Sequence, residues 1–215
     1  MYRALLFDLD GTLAETNSLH LPTWADALRP HGVEIDEHFF RQNISGRSNA
    51  KIVRDLLPDL SVEDARDLTG AQESSFRERA PELEPLPGLV DFMGEGRRHG
   101  LSLALVTNAP WENVEAVLLA LELREFFDEV VLSDEVGNVK PDPAPYREAL
   151  ERLGVAPAEA LAFEDSTLGI ASAVGAGIPT VGIASTQAPE TLEEAGAFMV
   201  AEHFADPELG KLLNL

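Results

Sequence analysis

The chain has 215 residues, 45% of them apolar, which suffices for the core of one domain or of one domain with an inserted lobe. Its net charge of −22 repels nucleic acid and anionic membranes, so we expect neither as a partner. The sequence contains no cysteine, which excludes disulfides and thiolate zinc sites and agrees with a cytoplasmic protein.

The first predicted element is a buried strand that carries two carboxylates at its end. Ala4 to Phe7 form an apolar run without alternation, typical of a strand covered on both faces, and Gly11 lets the chain turn just beyond it. An Asp can attack phosphorus, and a second Asp can transfer protons, so Asp8 and Asp10 are candidates for these two roles. A calcium loop is the alternative, but such a loop needs an earlier carboxylate or amide and flanking helices, which the sequence does not provide.

The next seventy residues are predicted to form a helical lobe. Apolar residues recur there at helical spacing, and proline and glycine separate the segments. The predicted helices cover 17–30, 36–43, 47–57 and 61–80.

From residue 88 onward, predicted helices and strands alternate. The helices cover 88–99, 111–122, 143–153 and 166–175, and the strands cover 101–106, 129–132, 160–163 and 180–183. This alternation indicates a parallel sheet with helices on both faces, which the first strand must join. We therefore predict an α/β fold with two domains. Residues 1–14 and 82–215 form a three-layer, Rossmann-like core around the parallel sheet, and residues 15–81 form an all-helical domain inserted into it.

Residues 166–189 contain no charged side chain, and the segment is long enough to raise the question of a membrane span. Gly175, Gly177, Pro179 and Gly182 would interrupt a spanning helix. We expect a buried helix, a tight turn and a buried strand instead.

Polar residues follow four of the predicted strands. They are Asp8 and Asp10 after the first, Thr107 and Asn108 after the second, Lys140 in the loop beyond the third, and Glu164 and Asp165 after the fourth. Ligands of open parallel sheets bind at the carboxyl ends of the strands, where these groups would meet. Each is weak alone, since Thr-Asn is a common helix cap and Lys140 could be a surface lysine, but together and in this order they indicate one site.

Asp8-Leu-Asp-Gly-Thr, Thr107-Asn, Lys140-Pro-Asp-Pro and Glu164-Asp-Ser match the four motifs of the haloacid dehalogenase superfamily of aspartate-nucleophile phosphotransferases. The chain resembles the subfamily with a helical cap that includes β-phosphoglucomutase and related sugar-phosphate phosphatases. This resemblance implies that Asp8 is the nucleophile and carries the phosphoryl group, with Asp10 as general acid and base.

The four carboxylates require a cation. Two carboxylates about 4 Å apart repel each other by about 4 kcal/mol at an effective dielectric constant near 20. An oxygen-only ligand set and phosphate chemistry favour Mg²⁺, which we assign to Asp8, the Asp10 carbonyl and Asp165, with Glu164 direct or through water. Lys140, Thr107 and Asn108 are then expected to bind the phosphoryl oxygens. The predicted core site therefore has seven residues: Asp8, Asp10, Thr107, Asn108, Lys140, Glu164 and Asp165.

The inserted domain is expected to influence the choice of acceptor. His20 and Arg47 are candidate substrate contacts, whereas Asn49 and Gln72 stand where the mutases have cations for a second phosphate. We therefore expect a Mg²⁺-dependent phosphatase of a small phosphorylated metabolite, such as a sugar phosphate, in a monomer or weak homodimer. A β-phosphoglucomutase-like mutase is the alternative, and an inactive binding protein is a third possibility.

Overall fold

The computed structural model describes residues 2–213. Positions 1, 214 and 215, which the predicted core domain includes, lie outside the described residues. The chain divides into two compact units: residues up to Glu15 together with those from Leu83 onward form one, and Thr16–Glu82 form the other.

The unit formed by Thr16–Glu82 is helical. Its helices are α1 Asn17–Leu28, α2 Glu37–Asn43, α3 Asn49–Leu56 and α4 Val62–Arg79. Its buried side chains form a separate core, made of Trp24, Leu28, Phe40, Ile44, Ile52 and Val53. The first helix ends before the predicted residue 30 because Pro30 lies in a tight 3₁₀ turn, after which Gly32 adopts a left-handed conformation.

The other unit is an α/β domain. Within residues 2–213, one parallel sheet contains six strands in the order β3-β2-β1-β4-β5-β6. The strands are β1 Ala4–Phe7, β2 Ser102–Thr107, β3 Glu129–Leu132, β4 Ala160–Glu164, β5 Thr180–Ile183 and β6 Met199–Ala201. The predicted α/β fold is confirmed, and β6 is an edge strand that the sequence analysis did not include.

Helices connect these strands, and one helix follows the last strand. They are α5 Leu89–Arg98, α6 Trp111–Ala120, α7 Ser133–Val136, α8 Ala144–Leu153, α9 Thr167–Gly175, α10 Pro189–Glu194 and α11 Pro207–Leu212. The uncharged segment 166–189 forms α9, a turn and β5, as expected. No helix within residues 2–213 has both the length and the apolar character needed to cross a membrane.

The central strand β1 is buried on both faces, so successive side chains enter different parts of the core. Ala4 and Leu6 pack with residues of α8 and α9. Phe7 faces the other way and stacks on Phe163 of β4 with ring centroids 4.9 Å apart. Because the apolar core covers both faces of the sheet, polar groups from several strands can lie together at the carboxyl edge of the sheet.

Candidate active site

The pairing of strands places the predicted residues next to one another. Phe7 at the end of β1 pairs with Leu105 of β2 on one side and with Phe163 of β4 on the other. The next residue, Asp8, donates its backbone N–H to the Phe163 carbonyl at 3.1 Å. Thr107 and Glu164 are the last residues of the two flanking strands, so their side chains lie at the same edge of the sheet as Asp8.

Lys140 joins these strands through its side chain. Its ammonium Nζ donates to Asp8 Oδ1 at 2.6 Å, to Glu164 Oε1 at 2.6 Å and to the Val106 carbonyl at 2.7 Å. An ammonium group has three N–H donors, and here each has an acceptor. Burial alone would lower the pKa of Lys140, but the charges of Asp8 and Glu164 raise it above its usual value, so the side chain is charged.

The carboxylates form a buried cluster with too little positive charge. Oxygens of Asp8, Glu164 and Asp165 all lie within 4.8 Å of one another. Burial raises the pKa of Asp8 to about 7; Lys140 opposes this shift, while Glu164 and the half-buried Asp10 add to it. Burial also raises the pKa of Asp165 well above its usual range, and the charges of Asp8 and Glu164 add to this shift. One ammonium does not balance these groups, so the cluster fits a metal ion with oxygen ligands.

Glu164 is oriented by the predicted residue Lys140 and by two residues, Tyr146 and Gly169, that were not among the predicted site residues. Its Oε1 accepts hydrogen bonds from Lys140 and from the Tyr146 hydroxyl, both at 2.6 Å. Its Oε2 is buried and has no hydrogen-bond partner within residues 2–213. This oxygen packs so closely against Gly169 that a Cβ added there would lie 1.8 Å from it. Glycine at this position therefore makes room for the carboxylate.

Asp165 is oriented by the loop that follows β5. The Thr186 hydroxyl donates to Asp165 Oδ2, and the Ser185 hydroxyl donates to the Gly11 carbonyl. Gly11 has a φ of +74°, and a Cβ there would lie 2.1 Å from Asp165 Oδ2. Ser185 and Thr186 lie two and three positions after the predicted strand 180–183, and this place near a strand end was the signal that could have added them to the site.

Thr107 and Asn108 keep donors available at the edge of the sheet. The Thr107 oxygen accepts the Ala109 N–H at 3.0 Å, so its own hydrogen can still be donated. Asn108 is exposed, and its Oδ1 accepts the Lys140 backbone N–H at 3.0 Å, so its NH₂ group can still donate. The seven predicted core residues thus lie in one unit, at or next to the carboxyl ends of neighbouring strands and, for Lys140, in the loop beyond β3.

The two candidate residues of the helical unit have partners inside that unit. The His20 ring stacks on Phe76 with centroids 4.2 Å apart. Arg47 donates to the Asn43 carbonyl at 2.7 Å and forms an ion pair with Asp55.

Two further residues of the helical unit, Asn49 and Gln72, have uncharged side chains with partners of their own. Asn49 donates to Glu73, and Gln72 donates to Thr23 Oγ1 at 3.0 Å.

Comparison with known proteins assigns the family. A family model described as haloacid dehalogenase-like hydrolase matches residues 5–183, which include every residue that the sequence predicted for the site. The chain belongs to this family. Among curated relatives of this hydrolase, CbbY of Cereibacter sphaeroides is 34% identical, with 100% of this chain and 97% of the relative covered.

Two further matches carry names or ligands that indicate phosphate chemistry. Fructose-1-phosphate phosphatase YqaB of Escherichia coli K12 is 33% identical, with 85% of this chain and 96% of the relative covered. The structure of a CbbY mutant from Rhodobacter sphaeroides in complex with xylulose-(1,5)bisphosphate superposes with a TM-score of 0.84 at 32% identity, covering 96% of both chains. The predicted family and enzyme class, a haloacid dehalogenase-type phosphoric monoester hydrolase, are confirmed.

Proposed function

We propose that this hydrolase is a Mg²⁺-dependent phosphatase of small phosphorylated metabolites, with sugar phosphates as the preferred class. The observation that carries the proposal is the buried contact of the Lys140 ammonium with both Asp8 and Glu164 at 2.6 Å, inside a cluster of carboxylates. A nucleophilic carboxylate beside a fixed cation suits attack on a phosphate ester. The names and bound ligand of the relatives support a sugar phosphate as substrate.

In the first step, a carboxylate oxygen of Asp8 attacks phosphorus, and the bond between phosphorus and the ester oxygen breaks. Asp10 gives its proton to the departing oxygen, which leaves as an alcohol. The product on the protein is an acyl phosphate of Asp8. Asp10, now deprotonated, is two residues from the nucleophile and half-buried, so it is accessible to the incoming acceptor.

In the second step, a water molecule gives a proton to Asp10 and attacks phosphorus. The bond between phosphorus and Asp8 breaks, which releases inorganic phosphate and restores both side chains. The hydroxyl of Thr107, the amide of Asn108 and the ammonium of Lys140 would donate to the phosphoryl oxygens as negative charge develops on them.

The metal ion would be held by Asp8, the Asp10 carbonyl and Asp165, with Glu164 direct or through water. The raised pKa values of Asp8 and Asp165 support a cation there, because a nearby positive charge favours the ionised form of both carboxyls. An oxygen-only ligand set suits a hard ion such as Mg²⁺. When bound, the ion supplies positive charge that stabilises the phosphoryl oxygens and keeps Asp8 ionised.

Residues 15–81 are proposed to act as a cap that selects the substrate, with His20 and Arg47 as candidate contacts. Arg47 is paired with the carboxylate of Asp55, and the uncharged side chains of Asn49 and Gln72 are hydrogen-bonded within the helical unit. These three side chains therefore offer little positive charge to a second phosphate. Hydrolysis is therefore favoured over a mutase reaction that needs a bisphosphate.

The test is phosphate release from a panel of sugar phosphates with Mg²⁺, using the wild type, Asp8→Asn and the control Asp91→Asn. Asp91 is exposed on α5 and loses the same charge, so its variant should keep wild-type activity. Asp8→Asn should lose at least about 10³-fold in kcat, as expected when a nucleophile is removed.

Glucose 1-phosphate with a trace of bisphosphate separates the two reaction classes. Formation of glucose 6-phosphate without free phosphate would instead identify a mutase. The absence of turnover of every phosphate ester would refute both enzymatic functions.

A further inference from the structure

Tyr146 lies where a polar side chain is unusual. The residue belongs to α8 and is fully buried in the apolar core between that helix and the sheet, next to Leu6 and Val106. Its hydroxyl donates to Glu164 Oε1 at 2.6 Å, which is the short distance expected of a hydrogen bond to a charged oxygen. Burial, and after it the charge of Glu164, raises the pKa of Tyr146 well above its usual value, so the hydroxyl remains a donor.

The same carboxylate oxygen also accepts from Lys140. The two donors converge on Oε1 at equal distances of 2.6 Å, and the Lys140 ammonium lies 5.2 Å from the centroid of the Tyr146 ring. Within residues 2–213, Lys140 and Tyr146 are the only side-chain donors recorded for the Glu164 carboxylate, because its Oε2 has no partner. The orientation of Glu164 therefore depends on Tyr146 as well as on Lys140.

We propose that Tyr146 is a positioning residue that fixes the Glu164 carboxylate and thereby holds the Lys140 ammonium against Asp8 during phosphoryl transfer. The role in catalysis rests on the proposed phosphatase function, whereas the role in holding Lys140 rests on geometry alone. The chain of contacts runs from Tyr146 through Glu164 and Lys140 to Asp8, and each of its three links is 2.6 Å long. The alternative is that Tyr146 only fills the core and that its hydroxyl donates to Glu164 because this is the nearest acceptor.

Kinetics distinguish these possibilities. Tyr146→Phe removes one oxygen atom and keeps the ring that packs in the core. We expect kcat to fall about tenfold with KM changed by less than about twofold, because the loss affects charge stabilisation in the transition state; tenfold corresponds to about 1.4 kcal/mol. The chain has one other tyrosine, Tyr2, which precedes β1 at the opposite end of the strand from Asp8, so Tyr2→Phe is the matched control and should keep wild-type kinetics.

A second measurement does not depend on activity. The chain has three lysines, of which Lys51 and Lys211 are exposed and Lys140 is buried. In metal-free protein labelled with ¹⁵N-lysine, the Lys140 NH₃⁺ group should give a slowly exchanging proton–nitrogen signal, because buried hydrogen bonds protect it from water. This signal should persist in Tyr2→Phe, and in Tyr146→Phe it should shift or disappear through faster exchange.

Glu164→Gln serves as a second variant if Tyr146→Phe proves unstable, because it keeps the shape of the side chain and removes the charge that both donors contact. It should change the Lys140 signal in the same way as Tyr146→Phe. An unchanged Lys140 signal in the folded Tyr146→Phe protein would overturn the positioning role, and a changed signal with wild-type kcat would overturn its importance for catalysis. If the wild type hydrolyses no phosphate ester, the proposed function fails while the Lys140 signal still decides the positioning role.

Discussion

Gly169 provides the sharpest test of the site geometry. A Cβ added at this position would lie 1.8 Å from Glu164 Oε2, 2.1 Å from its Cδ and 2.4 Å from its Oε1. Non-bonded heavy atoms pack at about 3.5–4 Å, so the whole carboxylate would have to move by more than about 1 Å in Gly169→Ala. That movement would break the 2.6 Å contacts of Glu164 with Lys140 and Tyr146.

The magnitude follows from opposing effects. Inserting a methyl group into a packed interior costs about 1–3 kcal/mol, and disrupting a buried ion pair adds about 3–5 kcal/mol when its charges lose their partners. Alanine is a better helix former than glycine by about 1 kcal/mol, which offsets a small part. We expect Gly169→Ala to lower the free energy of unfolding by about 3 kcal/mol or more. At about 2–4 °C per kcal/mol for a chain of this size, Tm falls by about 6–12 °C.

The assay is thermal unfolding followed by circular dichroism in the absence of metal, with Gly94→Ala as the control. Gly94 lies in α5 of the same unit, and a Cβ there meets no atom within 4 Å. Gly94→Ala should therefore match or exceed the stability of the wild type. If Gly169→Ala unfolds at the wild-type temperature and keeps its Lys140 NMR signal, the close packing of Glu164 against α9 is refuted.

Two other predictions concern pH and metal. Burial alone would raise the pKa of Asp128, but hydrogen bonds from Arg97 and from the Leu103 N–H lower it below its usual value of 3.8. The ionised form of Asp128 therefore stabilises the fold above about pH 4. This contribution is lost as the pH falls through the pKa of the folded state. The Asp128 side chain is 38% exposed, so solvent screens these interactions, and Asp128→Asn should cost no more than about 1 kcal/mol at pH 7 in urea unfolding. The difference from wild type should shrink below pH 4, and a pH-independent difference would contradict this reasoning. Adding Mg²⁺ to metal-free protein at about 100 times its Kd should stabilise it by about 2.7 kcal/mol in thermal melts, and Asp165→Asn should show a clearly smaller gain; equal gains would exclude Asp165 as a ligand.

The sequence predicted the elements with long apolar runs. The first five strands have four to six residues with mostly buried side chains, and their positions agree with the prediction to within one residue. The grouping of Asp8, Thr107 and Glu164 at one edge followed from a general property of parallel sheets. Only the fold class was needed for that step.

Short elements near the carboxyl end were not predicted. The strand β6 has three residues, and only Ala201 among them is fully buried, so neither length nor burial gives a clear pattern. The helices α10 and α11 have six residues each, which is too short for a helical period to stand out.

The orientation of side chains at the site was also not predictable. All five residues of β4 are buried, so no alternation of polar and apolar positions indicates to which face Glu164 points. Its contact with Tyr146 joins residues 18 positions apart in different elements. Such a contact depends on how α8 packs on the sheet, and the spacing of residues along the sequence does not indicate this packing.

The path of the chain just after β1 has a consequence for how this protein can vary. Ala14 bridges to Pro85, and the Leu86 N–H donates to the Leu13 carbonyl at 2.8 Å, so the segment between them departs from the sheet domain and returns to it at adjacent points. Closing a longer segment between fixed ends costs only about 0.6 kcal/mol for each doubling of its length. Lobes of other sizes and sequences could therefore be exchanged at this junction while the strand register and the carboxylate cluster stay unaltered.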